Sequence, residues 1–277
     1  RQRFHEKSSG QNMLVSEKIS TAKKLICFTI CAIPIILGFI IPISILLNFV
    51  LSGFSIINFL EIFKIAFTSI TLAFVGAFFV MITSIIMILI SRYKSNNFQK
   101  SLIFLASCGY ALPGTILAVG IVIFVGWINN LINFHLSYVA GGFIILIFAY
   151  TTRFLAVGNA AIRSGILKVH PNTMHASKTM GVNFFKSIQV VILPLIFTNI
   201  IIGGILVFVD ILKELPITLL LRPFNFETLA TYVYQYASDE LLQESSFAAL
   251  IIILVGLGPV ILLNNTLNRV SRKKQSY

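Results

Sequence analysis

The sequence predicts an all-α integral membrane protein, on three observations. Of 277 residues, 57% are hydrophobic and 11% charged, whereas a soluble domain carries roughly 25% charged residues. Mean hydropathy is +0.94. The apolar residues fall into long runs that do not alternate. That pattern excludes a β-barrel and requires helices that satisfy their own backbone groups in lipid.

The chain opens with a polar, basic arm, residues 1–24, that begins with Arg1 and has no signal-peptide pattern. The arm reads as an internal linker, which implies a longer polypeptide. The membrane domain, 25–268, follows. A bilayer core of about 30 Å asks for about 20 apolar residues per helix. The six candidate spans are Leu25 to Leu47, Ile65 to Ile90, Ser101 to Ile128, Leu136 to Val157, Ser187 to Val209 and Phe247 to Leu263. A basic tail, 269–277, ends the chain.

Several spans are interrupted. Pro34 and Pro42 lie in the first, Pro113 in the third, Pro194 in the fifth, and Gly256, Gly258 and Pro259 in the last. Proline removes a backbone donor and clashes with the preceding turn. Repeated breaks fit a protein that lines a path or changes shape. Ala140, Gly141, Gly142, Gly203 and Gly204 are small residues that allow close helix approach.

Charge sets the orientation. With the amino terminus in the cytoplasm, all 21 Lys and Arg residues lie inside except Lys64, Lys213 and Arg222. All acids except Glu6 and Glu17 lie outside. This satisfies the positive-inside rule at every loop, with both termini cytoplasmic. The net charge of +12 is therefore a topology signal, with membrane lipid as a partner. A nucleic-acid role is disfavoured, because no basic patch is interleaved with exposed aromatics.

The spans are poor in chemistry. No acid lies deep in any of them. Arg153 is the one basic residue inside a span, expected near the cytoplasmic end where it can snorkel. A proton- or sodium-driven carrier or channel is disfavoured, since coupling usually needs a buried ionisable group. A membrane enzyme is disfavoured too: His5, His135, His170 and His175 are dispersed, and neither a Walker phosphate loop nor a GxSxG is present. Cys27, Cys31 and Cys108 read as core-filling thiols. No catalytic residue, metal site or cofactor is assigned. The energy source and the substrate-capture device fall to other proteins.

The loop at about 170–186 follows the fourth span. Pro171 suits a first helical turn, and "PNTMHASKTM" can make about three turns, with Thr173, Met174, Ser177 and Met180 on adjoining faces. Gly181 fits the left-handed position after a helix, and Asn183 can cap the next helix. An ordinary amphipathic connector would look the same.

The spacing resembles the cytoplasmic loop of bacterial ABC importer permeases: Glu-Ala-Ala, three residues, Gly, nine residues, Ile, one residue, Leu-Pro. Here Ala176, Gly181, Val191, Leu193 and Pro194 stand at that spacing. His175 replaces the family's Glu, and Ser177 the second Ala. The resemblance implies a coupling helix, with Thr173, Met174, His175, Ala176, Ser177, Met180, Gly181, Leu193 and Pro194 serving the coupling to the ATPase. The His175 departure puts the acidic part of that contact in doubt.

A second stretch, "VDILKELPITLLLRPFNFETLATYVYQYASDE", resembles the extracytoplasmic segment of ferric-iron ABC permeases. Lys213 to Pro216, Thr218-Leu219, Leu221 to Pro223 and Thr228 to Ala230 carry the likeness. "YALPGTILAVG", "AYTTRFLAVG" and "LVGLGPVILLN" resemble the same family's third, fourth and last spans. Members are commonly two six-span halves on one polypeptide, and this chain resembles the carboxyl-terminal half. The resemblance implies a six-transmembrane-helix ABC importer permease bundle (type I importer, MetI-like) in a bacterial inner membrane. Its implied partners are an ABC ATPase subunit dimer, a second six-span half and a periplasmic substrate-binding protein. Sulfate, a polyamine or a phosphonate are alternative substrates on the same fold. In the extracytoplasmic loop, about 210–246, acids outnumber bases, which suits a cation or a basic protein face. Lys213, Glu214, Pro216 and Arg222 are its pathway candidates, although the charged ones can equally brace a bend.

Overall fold

The computed structural model describes residues 20–93, 96–132, 142–170 and 172–275. The basic arm to residue 19, the loop holding His135, Ala140 and Gly141, and Pro171 lie outside these. So do Lys94 and the last two residues of the tail. The chain divides into two units, 1–45 and 46–277. Among the described residues there is no strand.

Among the described residues, six helices are long and apolar enough to span a membrane: Thr21–Ser52, Phe59–Tyr93, Gly114–Leu131, Phe143–Lys168, Phe184–Leu212 and Leu242–Ile261. The first is built from α1 (Thr21–Ile35), a π turn (Ile36–Ile40) and α2 (Ile41–Ser52). Pro34 and Pro42 flank that wide turn. A proline ring collides with the carbonyl four residues earlier, and a π turn supplies the extra room without ending the helix. The same solution recurs at Pro194, where a π turn at Ile188–Ile192 immediately precedes α9 (Leu193–Leu212).

In the second unit, α3 (Phe59–Tyr93), α6 (Phe143–Lys168) and α9 form the packed centre. Val80, Leu146, Ala149, Ile162, Ile196 and Val207 are fully buried there. Gly203 allows a close approach of α9 to α6: a Cβ on it would stand 2.6 Å from the Cβ of Ala161. Gly204 has no such neighbour. A second cluster joins the start of α3 to α11 (Leu229–Ser238) and α12 (Leu242–Gln275) through Ile62, Leu229, Tyr232 and Ala248. There Ser69 accepts a 2.7 Å hydrogen bond from the Leu229 amide.

The third span departs from its predicted form. Ser101 to Ile128 is not one helix. α4 (Asn97–Ser107) runs into a 3₁₀ turn at Cys108–Tyr110, and α5 (Gly114–Ile132) begins after Pro113. Asn96 and Gln99 form a capping box that starts α4. The fourth span is also shifted, ending at Lys168 instead of Val157.

That shift corrects Arg153. It lies in the interior of α6, not near its basic end. The three cysteines are exposed rather than core-filling. The cysteine error has a physical cause. In a lipid-facing bundle apolar character does not distinguish core from surface, so Phe67, Phe74, Ile116 and Leu195 are all well exposed.

Candidate functional site

Two short connectors, one at each end of the bundle, gather the sequence-nominated residues. At the basic end, α7 (Thr173–Thr179) makes about two turns rather than three. Met174 and Ser177, three residues apart, face inward and are buried; Met174 joins the main core. His175, Ala176, Lys178 and Thr179 face outward. Met174 and Ser177 are thus placed to hold the helix, not to present a surface.

The turn after α7 is a Schellman motif. The Gly181 amide donates to the Lys178 carbonyl at 3.0 Å, and the Val182 amide donates to the Ser177 carbonyl at 3.2 Å. Gly181 has φ +77°, and no atom lies within 4 Å of where its Cβ would stand. Backbone conformation alone therefore selects glycine here. Asn183 then caps α8 (Phe184–Ser187), its Oδ1 accepting from the Lys186 amide at 2.9 Å. The Ser177 and Ser187 hydroxyls hydrogen-bond to each other, clipping α7 to α8. This gives the Ser177 departure a physical reason, since alanine has no group to offer Ser187. Met180 and Phe185, 74% and 75% exposed, flank the turn as apolar knobs. Leu193 is half-buried and Pro194 exposed where α9 begins.

At the acidic end the chain does something the sequence did not announce. After α9 it folds back, and α10 (Pro216–Leu221) packs against α5 and α6. Pro216 starts it without wasting a donor. Glu214 is only 8% exposed, and its Oε2 lies 3.4 Å from Nε of Arg153. Arg153 Nη1 donates to the Leu112 carbonyl at 3.0 Å. The Ile217 amide donates to Glu214 Oε1 at 3.3 Å. Thr218 donates its hydroxyl to the Glu214 carbonyl at 2.7 Å and lies 2.5 Å from the Tyr150 hydroxyl. Gly114 is required beside them: a Cβ there would stand 2.9 Å from Glu214 Oε1. Burial pushes the Glu214 carboxyl above its ordinary range, and Arg153 pulls the other way.

Glu214 lies outside the spans, in the connector after α9, and is nevertheless buried against Arg153. Arg153, Tyr150, Thr218 and Gly114 were not nominated. Only half of the signal was present: a lone Arg in an apolar run needs an acid, but Glu214 stands beside Lys213 and already has a counter-charge next to it in sequence. Lys213 stays exposed and pairs with Asp210 at 3.0 Å. Arg222 does not meet Glu214. It contacts Glu227 at 3.5 Å, the Phe226 carbonyl at 3.3 Å and Thr231 at 3.2 Å, bracing the bend into α11. Among the described residues no group of three or more His, Cys, Asp or Glu is placed to hold a metal ion.

No family model matches the chain. Over 90% of its length it superposes, with a TM-score of 0.66 and 14% identity, on 97% of a chain from a bacterial ABC transporter involved in the import of the acidic polysaccharide alginate. The chain has the ABC importer permease fold. A curated relative, the Fe(3+)-transport system permease protein FbpB 2 of Haemophilus influenzae, is 27% identical over 155 residues. That match takes in 56% of this chain and 29% of the relative's length.

Proposed function

We propose that this permease is the membrane subunit of a binding-protein-dependent importer that moves ferric iron across a bacterial inner membrane, driven by a separate ATPase. The observation that carries the reading is the outward face of α7, presented by a Schellman turn at Gly181 and clipped to α8 through Ser177 and Ser187. His175, Lys178, Met180 and Phe185 form the surface on which an ATPase subunit docks. His175 replaces the acid of the resembled motif and Lys178 adds a cation on the same outward face, so the complementary groove is one that accepts cations and apolar side chains.

In this account the basic end is cytoplasmic, the six spans pair with a second six-span bundle, and a binding protein delivers substrate at the acidic end. Iron as cargo is supported by the name of the Haemophilus influenzae relative and by the Lys213 to Pro223 segment. Capture of the ion is assigned to the binding protein. Glu214, already paired with Arg153, acts as a strut between α10 and α6 rather than as an iron ligand.

The test is co-purification from the native organism, followed by radiolabelled iron uptake in a strain lacking the gene. An ATPase that comes with the chain, and uptake that returns with it, support the reading. Uptake of sulfate or a polyamine instead would move the cargo while leaving the importer assignment in place.

A further inference from the structure

A cavity of about 400 Å³ opens at the basic end where α3, α4 and α6 meet, lined by Ser91, Arg92, Lys100, Ile103, Arg163 and Leu167 among others. Three cations from three different helices share it, and no carboxylate lines it. Among the described residues the ion pairs are Arg153 with Glu214, Lys213 with Asp210 and Arg222 with Glu227, so these three cations take no part in one. Arg92 lies next to the last residue of α3, and Lys100 lies in the first turn of α4. Arg163 is five residues before the end of α6, about 7.5 Å along its axis. Ile103 and Leu167 continue the wall as hydrocarbon.

We propose that this cavity binds the phosphate of an anionic phospholipid headgroup in the cytoplasmic leaflet. The cations take the phosphate, Ser91 can donate to it, and Ile103 and Leu167 lie along the start of the acyl chains. Anionic lipid is the partner that matches both halves of the lining, because a soluble phosphate has no use for the apolar wall. Convergence from three helices also makes it a fastener: a bound headgroup ties α4 to α3 and α6. The cytoplasmic placement rests on the orientation proposed above. The binding measurement below does not, so topology labelling can fail while the site stands, and the reverse.

The experiment uses the full chain, purified in a neutral detergent and stripped of lipid, with fluorescent phosphatidylglycerol as the probe. A cation near an anionic surface contributes about a fivefold change in affinity. Arg92→Gln, Lys100→Gln and Arg163→Gln together should weaken binding by on the order of 100-fold. A control lacking Lys168, Lys178 and Lys186 should bind within about threefold of the parent. Leu167→Trp keeps every charge but fills the cavity from an exposed position, so it should also weaken binding at an unchanged melting temperature. Equal loss in the control triple would overturn the proposal in favour of diffuse charge. Full competition by glycerol phosphate at the concentration of the lipid would overturn the lipid assignment.

Discussion

Two short helices, α7 at the basic end and α10 at the acidic end, link long spans and are nearly equal in length, yet they are used in opposite ways. α7 turns His175 and Lys178 outward and buries small or apolar side chains. α10 is anchored by a buried acid, Glu214, that meets Arg153 in the interior of α6. The difference teaches where charge can be spent in a lipid-facing bundle. An exposed cation at a water-facing connector costs almost nothing. A buried carboxylate is tolerated only when paired and hydrogen-bonded.

The sharpest way to break the comparison is to remove one partner of the buried pair. Arg153→Met should destabilise the protein by about 3–5 kcal/mol, seen as a collapse of monodisperse material and melting temperature in detergent. Adding Glu214→Leu to it should restore much of the loss, because two packed apolar groups replace a desolvated pair. If Arg153→Met melts like the parent, Glu214 is not held by that pair.

At the opposite connector the loss should be functional rather than structural. Gly181→Val forces a β-branched side chain to φ +77°, costing about 1–2 kcal/mol, while uptake should fall to background. Uptake at the parental rate would remove Gly181 from the coupling account. Ser187→Ala removes the hydroxyl that meets Ser177 and should cost about 1 kcal/mol. Its effect should shrink in a Ser177→Ala background, a non-additivity read by a double-mutant cycle.

The pH dependence separates the connectors further. Burial raises the Glu214 pKa, so the folded chain binds that proton more tightly than the unfolded chain does. Its contribution to stability is fully present below the ordinary glutamate range and is lost as pH rises through the folded value. The melting temperature of the parent, relative to Glu214→Gln, should therefore decline as pH rises from about 4 to 7. A difference that grows with pH would reverse the assigned shift. Smallest of all, Lys213→Ala should change stability by no more than about 0.5 kcal/mol, since the Lys213 ammonium is well exposed and half-buried Asp210 keeps access to water without it.

How much of this was legible depends on the kind of signal. The spans were readable because about 20 apolar residues are a length requirement of the bilayer. The geometry around Gly181 and Asn183 was readable because positive φ and N-capping are local, decided by a few adjacent residues. The meeting of Arg153, Glu214 and Gly114 was not. It joins residues far apart in sequence, and each half looked complete by itself: an Arg that could snorkel, a Glu in a solvated loop. The exposed cysteines were misread for a related reason. Hydrophobicity marks lipid contact and protein core alike, so only packing, through contacts such as those of Gly203, separates them.

The central claim is that the outward face of α7 is where an ATPase engages the spans. Its most direct test is site-directed cross-linking in a chain whose Cys27, Cys31 and Cys108 have been replaced by alanine. Single cysteines at His175, Lys178 and, as a control at the other end, Asp239 would each be probed in membranes with and without ATP. The account expects a nucleotide-sensitive adduct with an ATPase subunit from positions 175 and 178 and none from 239. No adduct from either α7 position in a strain that imports iron through this chain would contradict it.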